Sequence, residues 1–483
     1  MKIRLLLLLV AVPFLALCQK QGNIWYFGNH AGLNFNYSPP IVLTNGATYN
    51  APVELNSEGT AVICDSSGSL LFYTNGEKVW NKNHQVMPNG DGLLSNLSST
   101  QAALILPQPG NNQYYYVFTA DDFDVNNLKY GFRYSVVDMC LNNETGDVTM
   151  EKNILLLDTV AEKLTAVKHE NGIDYWVIIH KYFSDSFYSY LLTSSGVSDP
   201  VISSVGSVHP AGFVGVGSAI GQLKASPDGN KLAIVNGNSS NSVAEYFDFN
   251  KSTGVVSNCV SIQTNPIYNY YGVSFSPDNS KLYIVCWLNN IGVYQFDLNA
   301  GNGNPTSVIM SKTTITNDNG YFGMQLGVDG KIYLARVGEY LSVINNPNEA
   351  GVSCNYIDSA IYLEGKKCSF GLPNFLDSYQ YHNQLACTEY VPIEPPITEL
   401  KVPNVFSPNA DNINDTFIIE NLPTDATVHI YNRWGALVAE WNKPNGSWDG
   451  RTKGGSQVSA GVYYYIVTLP DGERRKGFVE LIK

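Results

Sequence analysis

The sequence contains little charge, and most of that charge is negative. Only 15% of its 483 residues are Asp, Glu, Lys or Arg, and 42 acidic residues outnumber 29 basic ones, so the formal net charge is −13. Such a surface repels nucleic acid phosphates and anionic lipid headgroups. The composition therefore argues against nucleic-acid binding, while 44% hydrophobic residues suffice for large buried cores.

Long apolar runs are missing apart from one near the N-terminus. Residues 5–17 are apolar and follow two basic residues, which is typical of a secretory signal peptide. The run is shorter than the roughly 20 residues of a membrane-spanning helix, so no transmembrane segment is predicted. We expect cleavage between Cys18 and Gln19. Lipid attachment at Cys18 is the alternative, although Leu17 is larger than the residue that a lipoprotein signal prefers there.

The motifs of common catalytic and metal centres are also missing. The sequence contains no CxxC pair, no HExxH, no close histidine cluster and no GxSxG elbow, so neither a zinc site nor a nucleophile is predicted. Whether the protein is an enzyme stays open, with a non-enzymatic role favoured. Carboxylates from distant segments would leave no motif, so a polysaccharide hydrolase or lyase is the enzymatic alternative.

Cysteines are sparse, and seven follow the predicted cleavage site. Export would permit disulfides, and the spacing of Cys354 and Cys368 makes them the best candidate pair. Cys64 and Cys286 lie in apolar, strand-like runs, where buried free thiols are expected.

A repeated strand–turn–strand pattern occupies the middle of the chain. The best copies are KASPDGNKLAIV from Lys224, SFSPDNSKLYIV from Ser274 and QLGVDGKIYLAR from Gln325. Their turn aspartates recur every 50 or 51 residues, and each copy predicts a β-hairpin. Looser copies begin at Cys64, Pro107 and Lys168.

A repeat of this length, with about four strands and no helical periodicity, is typical of a β-propeller blade. The repeats resemble those of WD40-like propellers that contain SPDG turns. Six units are visible, and the stretches from Ile24 and Cys368 can together supply a seventh, which would remove exposed strand edges. We therefore predict an all-β fold with seven blades, or alternatively six. Two stacked β-sandwiches are the competing interpretation.

The C-terminal part differs from the repeats. Pro392, Pro395 and Pro396 predict an extended linker, and the five strand-like runs that follow predict a small immunoglobulin-like β-sandwich. The predicted organisation is a signal peptide at 1–18, a propeller at 19–385, a linker at 386–400 and the sandwich at 401–483.

Four motifs in this last segment occur in the order known from one family. VPNVFSPNADNINDTF, IYNRWGALVAEW, SWDGRTKGG and AGVYYYIV resemble the gliding-motility-associated C-terminal domain, which is the type B sorting domain of type IX secretion in Bacteroidota. Ala410 and Asn412 replace glycines that the family usually has. The resemblance implies passage through the periplasm and across the outer membrane by the type IX machinery, to the cell surface or the medium.

Three groups of residues are candidates for a site or a core. Asn409, Asp411 and Asp415 place oxygen ligands on one short loop, which suits calcium or an Asx-rich turn that caps its own backbone. Trp434 and Trp448 are predicted to anchor the core of the sorting domain. Aromatic residues of the repeats form either a sugar-stacking platform or blade cores, and they are Trp25, Tyr26, Trp80, Trp176 and Trp287.

The function expected from these features is binding at the cell surface or in the medium. The propeller would offer a rigid face to an unidentified protein or glycan, and the last domain would direct its export.

Overall fold

The computed structural model describes residues 19–47, 58–111, 113–123, 126, 128–209, 218–237, 242–262, 269–288, 291–381, 400–411, 414–423, 425–442, 446–470 and 472–483. The predicted signal peptide with Cys18, and the predicted linker apart from Leu400, lie outside these residues. The chain divides into two compact units, Met1–Thr388 and Glu389–Lys483. Among the described residues, no helix combines the length and the apolar character needed to cross a membrane.

In the described part of the N-terminal unit, the strands form seven small antiparallel sheets that follow one another along the chain. Sheet 1 contains β1 (Ile24–Phe27), β2 (Ala31–Asn34) and β3 (Ile41–Leu43). Sheet 2 contains β4 (Ala61–Cys64), β5 (Leu70–Thr74), β6 (Lys78–Asn81) and β7 (Val86–Asp91). Sheet 3 contains β8 (Ala103–Pro107), β9 (Tyr114–Ala120), β10 (Phe132–Asp138), β11 (Asp147–Val148) and β12 (Ile154–Leu157). Sheet 4 contains β13 (Val160–Lys168), β14 (Tyr175–Lys181), β15 (Ser186–Thr193), β16 (Gly196–Val197) and β17 (Val201–Ser204).

The remaining three sheets have four strands each. Sheet 5 contains β18 (Leu223–Ala225), β19 (Lys231–Val235), β20 (Ala244–Phe249) and β21 (Val256–Ser261). Sheet 6 contains β22 (Asn269–Phe275), β23 (Lys281–Leu288), β24 (Gly292–Asp297) and β25 (Thr313–Thr316). Sheet 7 contains β26 (Tyr321–Leu326), β27 (Ile332–Arg336), β28 (Tyr340–Ile344) and β29 (Tyr356–Tyr362). Short helical segments are α1 (Leu141–Glu144) and α2 (Pro305–Met310), with 3₁₀ turns at Ala300–Gly303 and Gly351–Cys354.

The three best sequence repeats are hairpins, as predicted: β18–β19, β22–β23 and β26–β27. Two of their turns share the same side-chain geometry. Asp228 and Asp278 each accept a hydrogen bond from the serine hydroxyl two residues before (2.6 and 2.7 Å) and from the backbone N–H two residues after (3.0 Å in both). These bonds fix the turn locally, which explains why the repeat is visible in the sequence.

Each sheet contacts the next along the chain, and the first sheet also contacts the last. The Trp25 ring of sheet 1 packs against Tyr333 of sheet 7, with ring centroids 5.2 Å apart. Asn29 N–H donates to the Lys367 carbonyl (2.8 Å), and Cys368 N–H donates to the Gly338 carbonyl in the β27–β28 turn (2.8 Å). The segment after β29 thus joins sheets 7 and 1. The prediction of an all-β fold built from many small sheets is confirmed.

Buried polar side chains tie the first strands of several sheets together. Gln101 Oε1 accepts hydrogen bonds from the N–H groups of Leu164 (3.1 Å) and Leu223 (2.7 Å). Lys224 Nζ lies 3.6 Å from the Asp377 carboxylate, and both side chains are almost fully buried. Since buried polar groups are costly unless they are paired, this network specifies how the strands meet.

The C-terminal unit consists of two sheets. Its strands are β30 (Val405–Phe406), β31 (Phe417–Ile418), β32 (Thr427–Tyr431), β33 (Leu437–Trp441), β34 (Ser447–Trp448), β35 (Gly461–Thr468) and β36 (Arg474–Leu481). One sheet has the order β30-β36-β35-β32-β33, and β31 pairs with β34 in the other. Trp448 is 2% exposed and packs in the core against Phe406 and Tyr463, with ring centroids 5.2 and 4.9 Å away.

The core role predicted for Trp434 is wrong, because its side chain is 84% exposed. Trp434 lies in the tight turn between β32 and β33. Asn432 Oδ1 accepts hydrogen bonds from the N–H groups of Trp434 and Ala436, both 3.0 Å long, and Gly435 has a φ of 76°. Because this turn belongs to the hairpin end rather than to the face between the sheets, the indole points into solvent.

The disulfide predicted between Cys354 and Cys368 is also wrong, since both thiols are free. Cys64 and Cys286 are buried thiols outside any disulfide, as predicted from their apolar runs. Cys140 is disulfide-bonded. The other described cysteines are not disulfide-bonded.

Candidate functional site

A group of aromatic side chains lies beside a buried carboxylate where the first strands of several sheets begin. We call it the Tyr271 cluster; its members are Glu58, Tyr271, Trp287, Phe322 and Phe370. The ring centroid of Phe322 lies 4.2 Å from that of Phe370, 5.5 Å from that of Tyr271 and 6.0 Å from that of Trp287. The Tyr271 hydroxyl donates a hydrogen bond to Glu58 Oε2.

Close backbone contacts between neighbouring sheets bring these side chains together. Glu58, Tyr271, Phe322 and Phe370 each precede a glycine. A Cβ atom at Gly272 would clash with the Phe322 carbonyl oxygen, so this position requires glycine. The N–H of Gly323 donates to the Phe370 carbonyl (2.8 Å). Because these glycines have no side chain between the strands, the residues that precede them lie side by side.

The cluster combines a buried polar part with a partly exposed aromatic part. Tyr271 and Glu58 are buried, whereas Trp287, Phe322 and Phe370 are partly exposed. Burial, followed by the nearby Glu58 carboxylate, raises the pKa of Tyr271 well above its ordinary value, so the phenol stays protonated and donates to Glu58. Trp287 Nε1 is buried and has no hydrogen-bond partner among the described residues. The cluster therefore combines partly exposed aromatic faces with a buried indole N–H.

A buried carboxylate and a buried amine, those of Glu162 and Lys163, lie near the cluster. Glu162 accepts hydrogen bonds from the N–H and hydroxyl of Thr100 (2.9 and 2.8 Å) and from the N–H of Phe123 (2.8 Å). Lys163 Nζ donates to backbone carbonyls, including that of Ser218 at 2.8 Å. Burial raises the pKa of Glu162 and lowers the pKa of Lys163, while their mutual attraction opposes both shifts.

These surroundings determine what the carboxylates can do. Glu162 is 1% exposed and both of its oxygens accept internal hydrogen bonds, so it holds strands in place rather than facing a substrate. The partly exposed rings can stack on a flat apolar surface such as a sugar ring. The arrangement suits binding better than acid–base chemistry.

Most of the predicted aromatic platform is blade core. Trp25, Tyr26, Trp80 and Trp176 are buried, as the core interpretation predicted. Trp287 differs, since it is partly exposed and belongs to the Tyr271 cluster. The other members of the cluster were missed, although the dipeptides Tyr271-Gly272, Phe322-Gly323 and Phe370-Gly371 recur at intervals of about 50 residues and could have revealed them.

The predicted calcium residues form a hydrogen-bonded loop. Asp415 Oδ1 accepts from the N–H groups of Asn409 (3.0 Å) and Ala410 (2.7 Å), and Asn409 Nδ2 donates to Asp411 Oδ2 (2.9 Å). This is the geometry expected of an Asx-rich turn; calcium binding stays a prediction. Within the described ranges, no group of three or more His, Cys, Asp or Glu side chains is placed to hold a metal ion.

The two-sheet C-terminal unit has a recognised family. Residues 400–481 match the CHU_C Type IX secretion signal domain, so this unit belongs to that family, as the sequence resemblance predicted. Such a domain implies interaction with the type IX machinery and export to the cell surface or the medium. No curated protein matches the chain significantly.

Solved structures similar to this chain are distant. PorZ, an essential bacterial surface component of the type-IX secretion system of Porphyromonas gingivalis, has a TM-score of 0.37 and 13% identity, over 94% of this chain and 63% of PorZ. A functionally unknown protein from Desulfotomaculum acetoxidans has a TM-score of 0.41 and 14% identity, over 72% of this chain and 98% of its own. Hydrazine synthase from Kuenenia stuttgartiensis has a TM-score of 0.39 and 14% identity, over 68% of this chain and 89% of its own. Likenesses this weak carry no argument about activity or ligand.

Proposed function

We propose that this protein is a non-enzymatic binding protein that type IX secretion delivers to the cell surface or the medium of a Bacteroidota cell. In this proposal residues 19–385 form a seven-bladed propeller that binds a protein or a glycan, residues 386–400 are a linker, and residues 401–483 are the sorting signal. The match of residues 400–481 to the type IX signal domain carries the proposal.

Two observations support seven blades rather than six. The described residues of the N-terminal unit form seven sheets, and sheet 1 has only three strands. The segment from Cys368 to Phe375 passes sheet 1, where the Trp25 and Phe375 ring centroids are 5.8 Å apart, and Asn374 N–H donates to the Thr60 carbonyl of the neighbouring sheet (2.8 Å). This segment would complete the first blade and close the ring without a free edge.

Export is tested with a transferable reporter. A signal peptide, a fluorescent protein and residues 401–483, joined in that order, should reach the outside of a type IX-competent Bacteroidota cell, because the sorting unit is compact in itself. The control is the same fusion in cells whose type IX machinery has been inactivated, where the reporter should stay in the periplasm. Retention in both cell types would contradict the proposal.

The Tyr271 cluster supports binding of a ligand with flat apolar faces, such as a sugar ring or an aromatic side chain. The mature chain should bind members of a glycan or protein array, and Trp287→Ala should weaken that binding, since stacking of aromatic groups contributes about 0.5–1.5 kcal/mol beyond area burial. The control is Trp176→Phe, a change within a blade core, which should leave binding unchanged. Equal binding by Trp287→Ala and the wild type would exclude the cluster as the ligand site.

The hydrolase or lyase alternative stays a prediction. The carboxylate nearest to the aromatic faces, Glu58, is buried and bonded to Tyr271, and Glu162 is enclosed by backbone donors. Release of reducing ends or unsaturated products from bacterial and algal polysaccharides would support the alternative.

A further inference from the structure

An aromatic row crosses the exposed face of the five-stranded sheet in the C-terminal unit. The strand register places Leu437 opposite Tyr431, Tyr431 opposite Tyr464, and Tyr464 opposite Phe478. We call these four residues, three aromatic residues and Leu437, the aromatic row. Since side chains alternate between the two faces of a strand, their neighbours point inward, and Val438, Ile430, Tyr463 and Val479 are all buried.

The row is unusually exposed for apolar side chains. Tyr464 is 49% and Phe478 56% exposed, and neighbouring strands are about 4.8 Å apart, so four strands extend the row over about 15 Å. Trp434, which is also exposed, lies in the turn that connects the strands of Tyr431 and Leu437, three residues from each. A contiguous apolar surface of this kind marks an interaction site more often than a scattered exposed residue does.

The charges around the row are mixed, with an excess of cations. Arg474 and Lys476 precede Phe478 on the same face of β36, and Arg433 precedes Trp434. Glu440 pairs with Lys453 and lies 3.6 Å from His429 Nε2. Glu480 lies two residues after Phe478 on the same face of β36. The surface therefore complements a partner that presents carboxylates around an apolar patch.

This composition favours a protein partner over a membrane surface. Tyr, Trp, Phe and Arg are the residues enriched at the centres of protein interfaces. Glu480 lies on the same face, and carboxylates are repelled by anionic lipids. From residue 400 onwards the sequence has nine basic and nine acidic residues, so this unit lacks the overall positive charge that would attract it to a lipid surface.

We propose that the aromatic row, extended by Trp434, is the face through which the C-terminal unit docks on an acidic, partly apolar surface of a protein in the outer membrane. This inference rests on the proposed role of the unit as a sorting signal and specifies the side chains that carry it.

The test measures binding of the full mature chain to outer membranes purified from a type IX-competent Bacteroidota cell. Tyr464→Thr with Phe478→Thr removes two rings from exposed strand positions while keeping a residue that favours strands. The matched control is Ile418→Thr, since Ile418 is 45% exposed in the other sheet of the same unit. Thermal unfolding of each variant verifies that the fold is kept.

We expect the double variant to bind about tenfold more weakly, Ile418→Thr to bind like the wild type, and added salt to weaken binding of the wild type. Protease treatment of the membranes should abolish binding. Wild-type affinity in the double variant, no binding of the wild type, or binding to protein-free vesicles of the extracted lipids would each overturn the proposal.

A parallel export assay separates this inference from the proposed function. If a chain without residues 400–483 is still exported, the sorting role is wrong. If that deletion blocks export but the double variant leaves the cell at the wild-type level, the sorting role stands and the docking face is wrong.

Discussion

Removal of one charge from the buried Lys224–Asp377 pair should reduce the free energy of unfolding far more than removal of one charge from an exposed pair with a similar N–O distance. The buried pair is separated by 3.6 Å with side chains 2% and 6% exposed, and the pair Lys78–Asp91 by 3.7 Å with side chains 43% and 69% exposed. In Asp377→Asn the ammonium group of Lys224 loses its counter-ion inside the protein. Breaking a buried pair in this way costs about 3–5 kcal/mol, whereas an exposed pair contributes about 0–1 kcal/mol.

The assay is urea unfolding of the full chain, followed by tryptophan fluorescence. Asp377→Asn should shift the transition of the N-terminal unit strongly to lower urea, and Asp91→Asn should leave it almost unchanged. Lys224→Met combined with Asp377→Asn should lose less stability than the sum of the two single variants, because the second change removes the uncompensated charge. Equal losses in Asp377→Asn and Asp91→Asn would refute the assignment of this pair as a buried link between strands.

Four other predictions concern stability. Gly272→Ala should cost about 3 kcal/mol or more, because its Cβ would clash with the Phe322 carbonyl, while Gly454→Ala, which has open space, serves as the control in the same urea assay. Partial burial opposes ionisation of Asp358, but hydrogen bonds from Tyr321, Ser342, Ser359 and Arg336 outweigh it and lower the pKa of this carboxyl. Its contribution is therefore present above the unfolded pKa of about 3.9 and lost as the pH falls through the folded value, so Asp358→Asn should cost about 1 kcal/mol at neutral pH and progressively less in unfolding measurements at lower pH. Trp448→Ala should destabilise the C-terminal unit by about 3–5 kcal/mol, and Trp434→Ala by less than about 0.5 kcal/mol; calorimetry that ranks them the other way would contradict their burial. If Asn409, Asp411 and Asp415 form only a structural turn, calcium and EDTA should give the same melting temperature, and a rise with calcium would establish the ion site.

Local turn chemistry explains why so much of the fold could be predicted. Asp228 and Asp278 bond to groups two residues away, so the information for each hairpin lies within a few residues of sequence. The same holds for the type IX motifs, which are contiguous segments. The burial of Trp434 depends instead on which residue of the β32–β33 turn faces the second sheet. The hydrophobicity of Trp434 does not determine which residue that is.

The candidate site could not be predicted because its parts are brought together by tertiary structure. Glu58, Tyr271 and Phe370 are separated by more than 90 residues from one another along the chain and become neighbours only through contacts between successive sheets. Spacing likewise misidentified the disulfide: Cys354 and Cys368 are close in sequence, yet they are buried in different hydrophobic clusters and both thiols are free.

The most direct test determines where the full chain is located in a type IX-competent Bacteroidota cell. The cells are fractionated into cytoplasm, periplasm, cell surface and medium, and the protein is measured in each fraction. The account predicts that the protein appears at the surface or in the medium, and that it accumulates in the periplasm when residues 400–483 are deleted or when the type IX machinery is inactivated. Arrival of the protein outside the cell in both of those backgrounds would contradict it.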